Sequence, residues 1–204
     1  MKTIAIISQK GGSGKTTVAV HLAVCAERAG KTGAIIDLDP QASAAEWSSR
    51  RTADTPEVIR AAPEQLSALL EQAKANGADF AIVDTAPHSD RAATIAAVLA
   101  DVILIPCRPA VFDISAIPTT LEILKLAGRK DRAAILLNAV PPQGRTGDEA
   151  AEGLAALARV SPVRMGQRAA YSHAVNDGRS VEEFEPHGKA AEEIRSLYHY
   201  IMTA

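Results

Sequence analysis

The chain has 204 residues, of which 47% are hydrophobic and 23% are charged. These proportions are typical of a folded globular protein and exclude the disordered and fibrous classes. The 22 basic and 24 acidic residues give a formal net charge of −2, and the aromatic residues are one Trp, three Tyr and three Phe. The composition therefore disfavours a protein dedicated to reading nucleic-acid bases, although it leaves room for a local basic patch.

The length predicts one hydrophobic core, so we expect residues 1–204 to form a single domain that needs no disulfide or metal to hold it together. Cys25 and Cys107 occur without CxxC or Cys/His spacing, which disfavours zinc and iron–sulfur sites. We expect both thiols to be buried in a reducing compartment. No stretch reaches the ~20 apolar residues of a membrane span, and the N-terminus lacks a signal-peptide pattern. The sequence thus predicts a cytoplasmic protein.

Short β-branched apolar blocks alternate along the chain with longer segments of helical period. This alternation is typical of repeated βα units, and it predicts an α/β fold in which helices flank both faces of a mostly parallel β-sheet. The predicted strands are Thr3–Ser8, Thr32–Leu38, Asp79–Asp84, Asp101–Pro106, Ala133–Asn138 and a weaker one at Val160–Arg164. The predicted helices are one from the glycine loop to Ala29, then Glu64–Asn76, Asp90–Ala100, Asp113–Ala127, Asp148–Arg159, Arg168–Asn176 and Lys189–Met202.

A glycine-rich loop follows the first predicted strand and precedes the first helix. It consists of Lys10, Gly11, Gly12, Ser13, Gly14, Lys15, Thr16 and Thr17. Glycines let successive backbone N–H groups face one point, and the positive end of the helix dipole faces the same point, so the loop is suited to hold a chain of phosphates. In such a loop Lys15 reaches the β- and γ-phosphates, Thr16 coordinates Mg²⁺ and Thr17 contacts the α-phosphate.

Carboxylates follow the second and third predicted strands of this βα series. Asp37 and Asp39 are two residues apart at the end of one strand, and Asp84 follows four apolar residues at the end of the next. Side chains two residues apart on a strand point the same way, and ligands of open α/β sheets bind at the carboxyl ends of the strands. We therefore expect these carboxylates beside the glycine loop. For Asp39 a second interpretation stays open, namely that it caps the helix that follows.

The glycine loop departs from the plain Walker pattern, because Gln9 stands where that pattern has its first glycine. The run Lys10-Gly11-Gly12-Ser13-Gly14-Lys15-Thr16 instead resembles the deviant Walker A motif of the MinD/ParA class of P-loop ATPases. In that class the early lysine reaches across a dimer interface to the partner's nucleotide, so the resemblance implies this role for Lys10. Two lysines on one triphosphate are chemically sensible, because the transition state spreads negative charge over oxygens that cations stabilise.

Further segments extend the resemblance. Asp37-Leu38-Asp39-Pro40-Gln41 is similar to the switch I of this class, and Asp84-Thr85-Ala86-Pro87 is similar to its switch II. The resemblance implies that Asp39 orients the attacking water, that Asp37 supports the Mg²⁺ shell, and that Asp84 binds Mg²⁺ through water. Ile135-Leu136-Leu137-Asn138 resembles the strand whose asparagine contacts adenine, which makes Asn138 the candidate base-contacting residue. ATP and Mg²⁺ are the implied cofactors.

The glycine loop begins at residue 10, which we take to leave no room for a preceding helix-turn-helix domain, and looser matches occur at 105–109, 167–171 and 178–182. The chain therefore resembles the small ParA-type partition ATPases. The resemblance implies an ATP-dependent homodimer that binds DNA without sequence preference, segregates or positions DNA, and is stimulated by a ParB-type centromere-binding protein. It also implies a bacterial protein that associates with the nucleoid when ATP is bound. The candidate DNA-binding residues are Arg164, Arg168, Arg179, Lys189 and Arg195.

Other functions of the same fold stay open. One is the positioning of another cargo, in the manner of MinD or of a carboxysome-positioning ATPase. Another is a metabolic ATP-dependent ligase such as dethiobiotin synthetase. Membrane binding of the MinD kind is disfavoured, because the C-terminal segment carries a core-facing apolar stripe rather than a basic amphipathic face. The stripe consists of Ala190, Ile194, Leu197 and Ile201.

Two side chains near the switch motifs have roles that the sequence leaves undecided. Trp47 follows switch I and suits either a dimer interface or the core. His88 follows switch II, where we expect a histidine of a surface loop rather than a catalytic group.

Overall fold

In the described part of the chain, six parallel strands form one β-sheet, whose spatial order is β3-β2-β4-β1-β5-β6. The computed structural model describes residues 1–203. Its strands are β1 (Lys2–Ile6), β2 (Gly33–Asp37), β3 (Glu57–Arg60), β4 (Phe80–Asp84), β5 (Val102–Cys107) and β6 (Ala133–Leu137). The predicted α/β fold with a parallel sheet is thereby confirmed.

Helices connect the strands and close the chain. They are α1 (Lys15–Arg28), α2 (Ser43–Ser49), α3 (Leu66–Ala75), α4 (Asp90–Leu99), α5 (Val111–Ile114), α6 (Ile117–Leu126), α7 (Thr146–Ala155), α8 (Ala169–Asn176), α9 (Val181–Phe184) and α10 (Lys189–Thr203). Short 3₁₀ turns occur at Pro63–Gln65 and Lys130–Arg132. Among residues 1–203, no helix combines the length and apolar character that crossing a bilayer requires.

Among residues 1–203, the sheet separates two hydrophobic cores, so the expectation of one core is wrong. In β1, Ile4 and Ile6 face one core with α1 and α10, whereas Ala5 belongs to the other core with α3, α4 and α6. Successive side chains of a strand point to opposite faces, so a strand buried on both sides is apolar throughout. The predicted apolar stripe of α10 is part of the first core.

The structure corrects the prediction of a strand at Val160–Arg164. Val160 makes only an isolated parallel bridge to Ile135 of β6. Pro162 has no backbone N–H and cannot donate to a strand ladder, and the Val163 N–H bonds instead to the Ser161 hydroxyl at 3.1 Å. The segment therefore follows β6 as an irregular chain.

Three short elements were not predicted from the sequence, and one predicted helix forms two helices in the structure. The edge strand β3 has exposed residues at both ends, Glu57 and Arg60, so its hydrophobic pattern is weak; α2 and α9 are also unpredicted. The helix predicted at Asp113–Ala127 is split into α5 and α6, because Pro118 lies in the first turn of α6, where a missing N–H costs nothing. The helix predicted at Asp148–Arg159 is α7, which begins and ends earlier.

Candidate active site

The glycine loop lies where β1 passes into α1, at the carboxyl edge of the sheet. Gly12 and Gly14 have φ values of 72° and 97°, a left-handed conformation that favours glycine. A Cβ on Gly14 would lie 2.1 Å from Nδ2 of Asn138, so that position has no room for a side chain. Asn138 also donates from Nδ2 to the Ser13 carbonyl at 2.7 Å. These contacts with Asn138 hold the loop in its curved form.

Lys15 begins α1 and points back into the loop. Its ammonium donates to the Lys10 carbonyl at 3.3 Å, and the residue is only 6% exposed. Burial lowers the pKa of Lys15, while the carboxylates of Asp84 and Asp39 act in the opposite direction. A buried cation with a single carbonyl as its hydrogen-bond partner among residues 1–203 is poorly satisfied, and phosphate oxygens would satisfy it.

Asp84 ends β4 and lies next to Thr16. Asp84 pairs in register with Asp37 of β2 and with Ile6 of β1. The Thr16 hydroxyl donates to Oδ2 of Asp84 at 2.6 Å, and Oδ1 is buried without a hydrogen bond from residues 1–203. Burial raises the pKa of Asp84 to about 7, the Thr16 hydroxyl lowers it, and the Asp37 carboxylate raises it further. The carboxyl group therefore has one oxygen available for a cation.

The oxygen atoms of Thr16 and Asp84 fit Mg²⁺. This ion prefers hard oxygen ligands, and it is held by one or two protein groups together with water and substrate phosphates. Among residues 1–203, no group of three or more His, Cys, Asp or Glu side chains could hold a metal ion. Thr16 and Asp84 would hold the ion together with water and nucleotide phosphates. Bound there, the ion neutralises phosphate charge.

Asp37 and Asp39 have different environments. Oδ1 of Asp37 accepts from the Asp39 N–H at 3.0 Å, and Oδ2 accepts from the N–H groups of Ala44 and Ala45 at 3.1 and 3.3 Å. Asp37, rather than Asp39, therefore caps α2. Burial raises the pKa of Asp37, and these N–H groups lower it. Its predicted contribution to the Mg²⁺ shell stays a prediction.

Asp39 is half-buried, and its Oδ1 accepts from the Gln41 N–H at 2.9 Å. The capping interpretation for Asp39 is wrong, because the first turn of α2 bonds to Asp37 instead. A carboxylate at this rim, close enough to Lys15 to influence its pKa, can accept a hydrogen bond from a water molecule near the phosphates. The water-orienting role of Asp39 stays a prediction.

A cavity of about 370 Å³ opens beside the glycine loop. Its lining includes Gly12, Gly14, Thr17, Arg108, Asn138, Gln167, Arg168, Tyr171, Ser172 and Asn176. Asn138 contributes to this wall, but its carboxamide oxygen already accepts from the Ala139 N–H at 2.8 Å. The volume and mixed polarity suit a nucleoside, and base contact by Asn138 stays a prediction.

Sequence reasoning assigned no role in nucleotide binding to Arg108 or Tyr171. Both lie in the looser motif matches at 105–109 and 167–171, which were the available signal. The Arg108 guanidinium bonds to both carboxylate oxygens of Asp113, at 2.8 and 3.1 Å, which fixes it at the cavity. The Tyr171 hydroxyl donates to Glu193 at 2.8 Å, and its pKa lies above the usual range because of burial and the Glu193 charge.

The candidate DNA-binding residues are mostly paired with carboxylates. The ion pairs are Arg164–Asp148, Arg168–Glu193, Arg179–Asp177 and Arg195–Glu182. Lys189 is exposed, and it has no ion pair within the described residues. Pairing reduces the charge that each arginine presents to a phosphate backbone.

The remaining sequence expectations concern isolated side chains. Trp47 is 1% exposed within its own chain, and its Nε1 donates to the Arg179 carbonyl at 3.1 Å, so the core interpretation is confirmed. His88 is exposed, with a φ of 54°, as expected of a loop residue. Cys25 and Cys107 are buried free thiols, and burial raises the pKa of each to about 12.

Comparison with known proteins agrees with this geometry. The model of the CobQ/CobB/MinD/ParA nucleotide binding domain matches residues 4–181. The chain is 31% identical to maintenance of carboxysome distribution protein A from Halothiobacillus neapolitanus, over 98% of this chain and 96% of that protein. It is 26% identical to protein IncC from Escherichia coli, over 100% of this chain and 70% of that protein.

Solved structures share the fold. Apo McdA from Cyanothece superposes with a TM-score of 0.77 at 18% identity, covering 99% of both chains. MinD from Aquifex aeolicus superposes with a TM-score of 0.81 at 19% identity, covering 100% of this chain and 98% of that one. The chain thus belongs to the CobQ/CobB/MinD/ParA family of nucleotide-binding domains and is a ParA/MinD-type ATPase with ATP and Mg²⁺ as cofactors.

Proposed function

We propose that Mg-ATP joins two copies of this chain face to face, with Lys10 of each copy contacting the phosphates bound by the other. The observation that carries the proposal is the environment of Lys10. It is half-buried on the rim of the glycine loop, and its ammonium has no ion pair among residues 1–203. Lys15 already occupies the interior of the same loop. An unpaired cation beside an anion site is available to a phosphate presented from outside the chain.

In this arrangement dimerisation reports the nucleotide state. A ligand that binds the dimer more tightly than the monomer shifts the equilibrium by its differential affinity, so ATP and the dimer interface stabilise each other. Hydrolysis removes the γ-phosphate contact of Lys10 and releases the two copies. Asp39 positions the attacking water, while Thr16 and Asp84 hold the metal. The half-buried setting of Asp39 supports this division, since Asp37 is committed to three backbone N–H groups.

The cellular role that we propose is the positioning of a protein assembly, with non-specific DNA as the surface on which the dimer travels. Similarity over nearly the full length to a carboxysome-distribution protein supports a protein cargo. A second relative with that description, from Gloeobacter kilaueensis, is 37% identical over 70% of this chain. These similarities favour a protein cargo over DNA segregation driven by a ParB-type partner.

Plasmid or chromosome partition is the second candidate, because protein ParA from Rhizobium radiobacter is 29% identical over 72% of this chain. The two roles differ in what is lost when the protein is removed. We expect deletion of the gene in its host to collapse the spacing of one protein assembly, imaged as a fluorescent fusion, while every replicon is inherited at the normal rate. Normal spacing together with loss of a replicon would favour partition.

A gel-shift titration tests the DNA surface and also excludes a metabolic ligase. Duplex DNA of unrelated sequence should be retarded by the protein in Mg-ATP and not in Mg-ADP, with an affinity that falls steeply as salt rises. Lys10→Ala should bind ATP and fail to retard the DNA. Retardation that is equal in ATP and ADP contradicts nucleotide gating, and no retardation in any state removes DNA from the proposal.

A further inference from the structure

The helix that follows switch I is held in place at both ends. At its N-terminal end, the N–H groups of Ala44 and Ala45 donate hydrogen bonds to the Asp37 carboxylate. Because α2 has only seven residues, it cannot be stable by its own hydrogen bonds. The position of α2, and of the 37–42 segment that carries Asp39, is therefore decided by the contacts at its ends.

The C-terminal end of α2 is fixed by Arg51. The Arg51 side chain is 4% exposed, and it forms a two-bond ion pair with Glu183 at 3.0 and 2.9 Å. It also donates to the Gly178 carbonyl and to the Thr55 carbonyl, each at 2.9 Å. A buried guanidinium with four hydrogen bonds to three acceptor groups is held rigidly, and lysine could not reproduce its planar fork.

Trp47 and Gly178 also take part in this contact between the end of α2 and the turn 177–180, which we call the junction. The Arg51 guanidinium lies over the Trp47 ring, 4.6 Å from its centroid, and Trp47 donates to the Arg179 carbonyl. Gly178 has a φ of 68°, and a Cβ there would lie 2.5 Å from the Arg50 carbonyl. The two backbones thus meet without intervening side chains, so movement of one displaces the other.

The other side of this junction leads to the cavity of about 370 Å³ beside the glycine loop, which we call the nucleoside cavity. The turn 177–180 directly follows α8, whose residues Tyr171, Ser172 and Asn176 line the cavity. Glu183 also accepts from the Ser180 N–H at 2.7 Å. Burial raises the pKa of Glu183, but the hydrogen bonds from Arg51 and Ser180 outweigh this and leave it below its usual range. Glu183 is therefore an ionised anchor for Arg51.

We propose that Arg51 is a positioning residue for ATP hydrolysis: by fastening α2 to the turn after α8, it sets the position of the switch I segment without touching the nucleotide. The inference rests on the proposed role of Asp39. The wall of the nucleoside cavity is joined through this junction to the segment that orients the water. Occupation of the cavity and alignment of Asp39 are thereby linked over a path of packed residues.

The test uses the full chain and measures single-turnover hydrolysis, so that binding and chemistry are separated. We expect Arg51→Met to lower the hydrolysis rate by about 10- to 100-fold, because small misplacements of a catalytic group have effects of this size. The apparent ATP affinity should stay within about twofold, since no phosphate contact is lost. Glu183→Gln should act in the same direction, and Arg51→Lys should restore only part of the rate.

Trp47 reports on this junction by fluorescence, because it is the only tryptophan in the chain. Arg51→Met should move its emission to longer wavelength while the protein stays folded by circular dichroism. Arg91→Met is the matched control: Arg91 pairs with Glu64 at 2.6 Å, with 74% of its side chain exposed. This variant should change neither the emission nor the rate.

Asp39→Asn, measured in parallel, separates the two proposals. If Asp39→Asn hydrolyses ATP at the normal rate, the proposed role of Asp39 is wrong. The proposal that Arg51 acts by positioning Asp39 then fails with it. If Asp39→Asn is inactive while folded Arg51→Met and Glu183→Gln retain the normal rate, the positioning role of Arg51 alone is overturned. A loss of ATP affinity equal to the loss of rate would also overturn it, because that result describes general damage to the site.

Discussion

The carboxyl edge of the sheet and the C-terminal surface differ in charge pairing, because four of the five candidate DNA-binding residues on that surface, all but Lys189, pair with carboxylates among residues 1–203. At the edge, Lys10 has no ion pair within the described chain, and Oδ1 of Asp84 is buried without a hydrogen bond. On the C-terminal surface, Arg164 and Arg195 each pair with a carboxylate. Unsatisfied charge in a buried place is costly, so its presence points to a ligand, whereas paired surface charge needs none. The two regions therefore differ in whether their charged side chains have protein partners, and a count of charged residues in the sequence does not show this difference.

The largest expected effect is at the edge. Lys15→Ala should weaken ATP binding by about 1,000-fold, because it removes charged hydrogen bonds to the phosphates. Isothermal titration calorimetry measures this directly. Arg164→Ala, which breaks an exposed pair with Asp148, should leave the ATP affinity unchanged. Equal losses in the two variants would mean that charge pairing does not mark the binding site.

The pH dependence of stability examines Asp84 in the nucleotide-free protein. Its folded pKa of about 7 exceeds the ordinary value of 3.8, so the folded state holds the proton more tightly than the unfolded chain. Folding stability is therefore highest at low pH with respect to this group, falls as pH rises from about 4 to about 7, and is level above that.

Asp84→Asn removes this contribution and tests its sign. We expect the gain in free energy of unfolding, relative to the natural chain, to be larger at pH 8 than at pH 5 by about 2–3 kcal/mol. Urea unfolding at both pH values provides the measurement. A gain that is the same at pH 5 and pH 8 would show that the Asp84 proton is not held by burial.

Glycine substitutions examine the shape of the loop rather than its charge. Gly14→Ala should lower the free energy of unfolding by about 2 kcal/mol, since it combines strain at positive φ with overpacking against Asn138. Gly11→Ala is the control, because a Cβ there meets no atom within 4 Å, and it should change stability by less than about 0.5 kcal/mol. Similar losses in urea unfolding would refute the close fit between Gly14 and Asn138.

The smallest effect is expected on the C-terminal surface. If the dimer binds DNA there, Lys189→Ala should reduce the slope of log affinity against log salt by about one, as for the loss of one phosphate contact. Arg164→Ala should leave the slope unchanged, because Asp148 already neutralises that guanidinium. A larger effect from Arg164→Ala would show that DNA displaces the carboxylate, and the contrast between the two regions would then disappear.

Features with local causes were predictable from the sequence. The glycine loop, the carboxylates at the ends of β2 and β4, and most strands depend on a few neighbouring residues, and they occur where expected. The edge strand β3 was missed because its ends, Glu57 and Arg60, are exposed. The strand predicted at Val160–Arg164 does not form, because Pro162 has no backbone N–H to donate to a strand ladder.

Features that depend on distant contacts were not predictable. Arg51 meets Glu183 across 132 residues of sequence, and no periodicity announces such a pair. Asp37 caps a helix through an N–H group seven residues away, beyond the spacing of ordinary capping motifs. The pairing of Arg168 with Glu193 likewise changed a candidate DNA contact into part of a cavity wall, and only the three-dimensional structure shows it.

The most direct test of the central claim is sedimentation velocity with a non-hydrolysable ATP analogue and Mg²⁺. The natural chain should sediment as a dimer with the analogue and as a monomer with ADP. Lys10→Ala should bind the analogue with the affinity of the natural chain and remain a monomer. A Lys10→Ala protein that dimerises as fully as the natural chain would contradict the account, because the unpaired lysine at the rim would then have no role between subunits.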